Sequence, residues 1–224
     1  MMHDQPLPED PPARRRLSAE ERRRQILAAA REVFTEEGIE RASMRRIADR
    51  AGVTPTLIYR HFADKESLLL AICQDFFRGL IERAESDPPP SSDEPFARLR
   101  RQMRIYVDFG LEHPDVYRLV FMTRLAGLKR GDLAQGHRLR NGCPPPPESE
   151  GFGTRAFAML ENEIARLIET GAVKPMEPSA LAEAVWALGH GLVSLLITHD
   201  DFDWTPLEHL LDAAMETVLH GIAR

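Results

Sequence analysis

The sequence predicts an all-α protein, and three observations carry that prediction. Apolar residues recur at helical spacing in every extended stretch, as Ile26, Leu27, Ala30, Val33 and Phe34 do at i, i+1, i+4, i+7 and i+8. No alternating apolar–polar run of any length competes with them. Prolines and capping residues cut the pattern into helix-sized pieces: 12 of the 17 prolines fall in clusters at 6–12, 88–95 and 144–147, where missing backbone donors break helices.

Taken in order, residues 1–18 lack the apolar segment of a signal peptide and read as a disordered leader. Ser18-x-x-Glu21 is a capping box that starts a helix over 19–37, and Gly38 closes it. Ser43 caps a helix over 44–51. Thr54 and Pro55 start another over 55–62, and Asp64 caps one over 65–85. Helices over 94–112 and 114–126 follow the second proline cluster. The polar stretch 127–150, with its third cluster, reads as a long mobile loop. A helix over 152–170 precedes one over 179–199, in which Leu181, Ala184, Val185, Leu188, Leu192, Leu195 and Leu196 share a face. Thr205-Pro-x-Glu208, a second capping box, opens the last, over 206–222. About nine helices result.

At 224 residues with 43% hydrophobic content, the chain can bury a substantial core in one large or two small domains. Two cysteines, Cys73 and Cys143, are too few for a disulfide framework and suit a reducing compartment. A cytoplasmic location is expected. The longest apolar stretch, Ala184 to Thr198, is broken by His190 and reads as a buried helix rather than a membrane span. Neither a nucleophile elbow, a phosphate-binding glycine loop nor a zinc-spaced Cys/His cluster occurs. An enzyme is therefore not expected, nor a cofactor or metal. Asp200, Asp201 and Asp203 form an acidic knot that reads as a solvated loop before it reads as a metal site.

The net charge of −6 conceals an asymmetry. Residues 13–65 hold 13 basic against 8 acidic side chains, a surplus of +5, so the remainder carries −11. A basic module on an acidic body suggests a polyanion partner for the basic end. A merely solvated basic surface is the alternative.

Residues 43–62, SMRRIADRAGVTPTLIYRHF, decide between these. Ala48 is small where two short helices must approach, Gly52 supplies the turn, and Ile58 plugs the space between them. Those offsets fit a helix-turn-helix. Ile47 and Val53 would tie the pair to the first helix through Val33 and Phe34. Thr54, Thr56 and Leu57 stand at the leading end of the second helix and would enter a major groove first. Arg60, one turn on, could reach a guanine edge or a phosphate. Tyr59, His61 and Lys65 could donate to phosphates, and Ser43, Arg45 and Arg46 could grip the neighbouring strand. Read singly, Tyr59 could be packing, His61 a satisfied cap and Arg46 a solvated side chain.

From about Glu20 to Leu80 the chain resembles the DNA-binding domain of the TetR (tetracycline repressor) family, above all in Gly-Val-Thr-x-x-x-Ile-Tyr-x-His-Phe-x-x-Lys. The resemblance implies phosphate contacts by Ser43, Arg45, Tyr59, His61 and Lys65, and base contacts by Thr54, Thr56, Leu57 and Arg60. Pro55 and Thr56 replace the family's common Lys-Gly pair, so base preference does not carry over. Trp186-Ala-Leu-Gly-His190-Gly191 and His113-Pro-Asp-Val-Tyr117-Arg-Leu-Val-Phe121 resemble the signature of a Trp-His-Gly subgroup. The implied organisation is a head over 19–66 and a regulatory and dimerisation domain over 67–224. The implied function is a repressor that binds an inverted repeat of double-stranded DNA as a dimer and is released by a small molecule. An effector-independent architectural dimer is the alternative, and a helical enzyme or carrier with a vestigial head a more distant one.

For the acidic body, the apolar faces at 179–199 and 206–222 suit a homodimer built as a four-helix bundle, with Gly189 and Gly191 allowing close approach. Gly191 could instead shape a ligand cavity. Met103, Tyr106, Val107, Gly110, Tyr117, Phe121, Phe157, Leu160, Ile164 and Trp186 would line an effector pocket for an apolar, partly planar molecule. His190 beside Trp186 would orient the ligand or be a satisfied core histidine. An ordinary packed core is the competing reading for each of these residues.

Overall fold

A computed structural model describes residues 17–87, 94–123 and 151–223. Among them the chain is all-α, apart from an isolated antiparallel bridge between Val173 and Ala223. The elements are α1 (Ala19–Glu37), α2 (Met44–Ala51), α3 (Pro55–Tyr59), α4 (Lys65–Ser86) and α5 (Ala97–Glu112). Next comes α6 (Pro114–Tyr117), which continues into a π-turn (Arg118–Met122), and then α7 (Phe152–Glu169), α8 (Pro178–Thr198) and α9 (Leu207–Ile222). The leader, apart from Leu17 and Ser18, and the loop expected over 127–150 lie outside the described residues.

Local chemistry explains most helix starts. The Ser18 side chain accepts from the Glu21 N–H, and Glu21 accepts in return from the Ser18 N–H at 2.7 Å. Ser43 and Thr54 each cap by accepting from the residue three on, at 3.2 and 3.3 Å. Asp64 and Ser67 cap each other at the start of α4. At Gly52 the backbone turns left-handed (φ 64°), and the Val53 N–H bonds to the Ala48 carbonyl at 3.0 Å. A side chain there would strain the backbone.

The structure differs from expectation in four places. α3 ends at Tyr59 rather than 62, because His61 closes a tight i→i+3 turn on the Ile58 carbonyl at 2.8 Å. α6 is four residues long before its hydrogen bonding widens into the π-turn. The box at Thr205 does not form: Pro206 is the cap residue with no side-chain bond, and Glu208 pairs with Arg104 instead. α8 is not the buried helix expected, since Ala184, Ala187 and Leu195 lie exposed. By length and composition alone this helix could cross a membrane.

The head packs α1 against α2 around fully buried Ile26, Ala30, Val33, Ile47, Ala48 and Ile58. In the body, α5 crosses α8 where both are stripped of side chains. A methyl on Gly110 would lie 2.8 Å from Val193, and one on Gly189 2.5 Å from Met103. The close approach expected of Gly189 is thus made within one chain, whereas Gly191 faces open space. α4 runs through the expected domain boundary at 66/67 without a break.

Candidate nucleic-acid interface and interior cavity

Helix α3 turns Ile58 wholly inward and leaves its leading edge in solvent. Thr54, Pro55, Thr56, Tyr59 and Arg60 are exposed, Tyr59 at 56%. Leu57 and His61 are half-buried. Ser43 and Arg45 are exposed at the start of α2. Because the Ser43 and Thr54 oxygens accept from backbone N–H groups, their hydroxyl protons remain free to donate. Neither Arg45 nor Arg60 has an ion pair among the described residues.

Two of the expected strand-gripping cations are engaged inside the head. Arg46 bonds to Glu37 at 2.6 Å. Lys65, expected to reach a phosphate, points its ammonium at three backbone carbonyls: Ile39 at 2.7 Å, Ala42 at 3.3 Å and Glu40 at 3.4 Å. An ammonium has three protons, so the geometry makes Lys65 a clamp between α4 and the α1–α2 turn. The sequence reading missed Arg50, which joins α2 to Glu32 at 2.9 Å and Glu36 at 2.5 Å. Those bonds hold the Glu36 carboxyl below its usual range and push the Arg50 guanidinium up. The available signal was the four-residue spacing of Glu32 and Glu36, which puts both on one face of α1.

In the body, a cavity of about 750 Å³ lies between α4, α5, the π-turn, α7 and α8. Of the expected lining residues, Met103, Tyr106, Phe121, Phe157, Leu160 and Trp186 border it. Val107 and Ile164 do not: both are fully buried core. Gly110 serves the α5–α8 crossing. Tyr117 and His190 stand behind the wall in a hydrogen-bonded relay. The Trp186 indole N–H donates to the Tyr106 hydroxyl at 3.1 Å, which lies 2.9 Å from the Tyr117 hydroxyl, itself 2.7 Å from His190 Nδ1. Burial lowers the His190 pKa, so the ring is neutral near pH 7. Only the Trp186 end of the relay has a fixed direction, since an indole N–H can only donate, whereas each tyrosine hydroxyl can donate or accept and the His190 tautomer sets the role of Nδ1. Burial pushes the Tyr106 phenol up to about 12 and raises that of Tyr117 as well, so neither ionises. The missed wall comes chiefly from α4 (Phe77, Leu80, Ile81, Ala84) and from Gln102, Thr154 and Glu161.

With this geometry in hand, similarity to known proteins is informative. The family described as "Bacterial regulatory proteins, tetR family" matches residues 26–72, and "Tetracyclin repressor-like, C-terminal domain" matches residues 99–222. The HTH-type transcriptional activator FasR of Mycolicibacterium smegmatis is 40% identical over 106 residues, 47% of this chain and 48% of that protein. UidR of Escherichia coli is 44% identical over 62 residues, 27% of this chain and 32% of that protein. The chain thus spans about half and a third of the length of these two relatives. RutR of Escherichia coli K12 is 25% identical over 167 residues, 72% of this chain and 69% of that protein. Among solved structures, the fatty acid degradation regulator FadR of Bacillus halodurans superposes with a TM-score of 0.70 at 16% identity, covering 92% of this chain and 97% of that one. A regulatory protein of the tetR family from Rhodococcus RHA1 gives 0.68 at 21% identity, covering 90% and 97%. The named relatives are transcriptional regulators, not enzymes. An exposed recognition edge, a clamped helix-turn-helix head and a matching C-terminal body converge: the chain belongs to the TetR family of DNA-binding transcriptional regulators.

Proposed function

We propose that this chain is a ligand-responsive cytoplasmic repressor that binds an inverted-repeat operator as a homodimer and is released by a small molecule. The carrying observation is α4. Its first residue, Lys65, clamps the head, and its far half, Phe77 to Ala84, forms a cavity wall. A helix of 22 residues is a rod of about 33 Å, so displacement at the wall is felt at the head. The effector must bind the conformer that mismatches the half-site spacing more tightly than it binds the DNA-fitting one, or no release follows. A sizeable cavity also weighs against the effector-independent architectural reading, which calls for a filled interior.

In this proposal Ser43, Arg45, Tyr59 and His61 meet phosphates, while Thr54, Thr56, Leu57 and Arg60 meet base edges. Arg46 and Lys65 hold the head in shape. The dimer uses the outward faces of α8 and α9, where Ala184, Ala187, Gly191 and Leu195 leave apolar surface uncovered. The test is fluorescence anisotropy on DNA from the chain's own promoter region, with transcription measured in parallel. Arg60→Ala should cost about 1–3 kcal/mol of operator binding and relax specificity at one base pair. Equal affinity for scrambled DNA would refute the reading. Transcription rising on binding would keep the DNA-binding assignment and make the chain an activator, as FasR is named.

A further inference from the structure

The head spends most of its positive charge on itself, which leaves one basic run to account for. Arg46 and Arg50 pair with glutamates of α1, and Lys65 is bonded to backbone carbonyls. Arg41 Nε donates to the Glu37 carbonyl and Arg22 to the Gln25 side chain, each at 2.7 Å. Arg14, Arg15 and Arg16 stand immediately ahead of Leu17, the first described residue. They supply three of the 13 basic side chains over residues 13–65, and without them ten face 8 acidic ones, a surplus of only +2. That is a weak footing on a polyanion for a chain whose remainder carries −11.

Contacts at the start of α1 fix where this run joins the head. The Gln25 amide N–H donates to the Ala51 carbonyl at 2.7 Å, at the C-terminal end of α2. The Arg23 guanidinium lies 4.9 Å from the centre of the Phe62 ring, next in sequence to His61. At the other end of α2, beside Ser43 and Arg45, Arg46 pairs with Glu37 at the close of α1. α1 is therefore antiparallel to α2, and the chain enters the head on the His61 side, away from Ser43 and Arg45. From Ser18 to Arg23 the helix rises about 7.5 Å. Three residues ahead of Leu17, drawn out, span about 10 Å more, against a minor groove about 6 Å wide. That reach is long enough to pass the strand His61 meets and arrive on duplex outside the span of α3.

We propose that Arg14, Arg15 and Arg16 make a second DNA contact, in which their guanidinium groups take the phosphates bordering the minor groove next to the α3 site. A guanidinium pairs with phosphate through two parallel hydrogen bonds and keeps its charge at any working pH. The contact is to backbone, so it adds affinity and length to the bound site without choosing a base. It rests on the phosphate contacts proposed above for the head.

The test compares the full-length chain with its Arg14→Gln/Arg15→Gln/Arg16→Gln variant. Fluorescence anisotropy on a labelled duplex of fixed random sequence, between 50 and 200 mM NaCl, requires no operator. Losing three phosphate contacts should flatten the slope of log affinity against log salt by about 2.7 per head. Across that range the unaltered chain then loses about 40-fold more affinity than the variant. A change in slope below two overturns the proposal, because charge removed at a distance from the duplex is screened at these salts. Hydroxyl-radical footprinting at saturating protein, on DNA from the chain's own promoter region, locates the contact. The variant should keep the centre of each protected block and lose its outer minor groove. Outer protection that persists, or protection lost evenly across the block, overturns the placement; where that DNA shows no block, the salt slope alone decides. Arg45→Gln, the control, should lower the slope by about 0.9 and leave the outer protection intact. An effect of Arg45→Gln without one of the triple variant sinks only this inference, whereas no effect of either sinks the phosphate contacts of the head as well.

Discussion

Lys65 shows that a residue's type can be read from sequence while its task depends on what packs beside it. A lysine at the head of α4, beside a basic motif, invites a phosphate contact, but its ammonium is shared among three carbonyls of the α1–α2 turn. The Lys65→Met protein should lose about 1–3 kcal/mol of stability by chemical denaturation, since those carbonyls lose their donor. If Lys65 were instead a phosphate ligand, stability would hold and the salt dependence of DNA binding would drop by about one counterion. His190 supplies a second residue-scale test. Burial lowers its pKa from the ordinary 6.5, so on acidification the unfolded chain takes up a proton before the folded one. Stability contributed by the neutral ring is complete above pH 6.5 and falls as pH drops below it. His190→Gln should flatten the slope of melting temperature against pH between 6.5 and 5, and an unchanged slope would assign it to other groups. Glu32, Glu36 and Arg50 show the limit of sequence reading at this scale. The face of α1 was visible, but its partner lies 14 to 18 residues away in sequence, and only the packing of α1 on α2 brings it near.

At the scale of elements, what was legible was local. The caps at Ser18, Ser43, Thr54 and Asp64 span three residues each, and the turn at Gly52 is a matter of one backbone angle, so side-chain identity suffices to read them. Gly52→Ala should cost about 1 kcal/mol of stability from the left-handed backbone alone, measurable by urea denaturation. A larger loss would mean that the α2–α3 angle itself had moved, and DNA affinity would then fall with it. Where a second element intervenes, local reading fails. The box at Thr205 gave way because Glu208 found Arg104 across α5. The cavity was placed half correctly. The aromatic residues of α5 and α8 were recognisable, whereas the α4 wall depends on how closely α4 approaches α5, where a methyl on Gly79 would lie 3.0 Å from Phe109.

For the molecule as a whole, α8 is the informative surface. Its inner side is core, with Val185, Val193 and Ile197 buried, and its outer side exposes Ala184, Ala187 and Leu195, uncovered by the other described residues. A second copy packing there would bury Leu195, exposed at 46%, together with Gly191. Leu195→Glu should therefore yield monomers by sedimentation at micromolar concentration and lower operator affinity, because two linked heads bind far more tightly than one. Dimers unaffected by that change would move the interface elsewhere.

The relay from Trp186 to His190, whose indole end can only donate, also bears on what the interior can hold. An imidazolium has no acceptor to offer, so once His190 is protonated the Tyr117 hydroxyl must turn about, and Tyr106 with it. The indole N–H cannot reverse, which leaves the Tyr106 proton without a protein acceptor and directed at whatever occupies the space beside it. Acid would thereby add one hydroxyl donor to the cavity lining beside Trp186, so the polarity of that stretch of wall depends on pH.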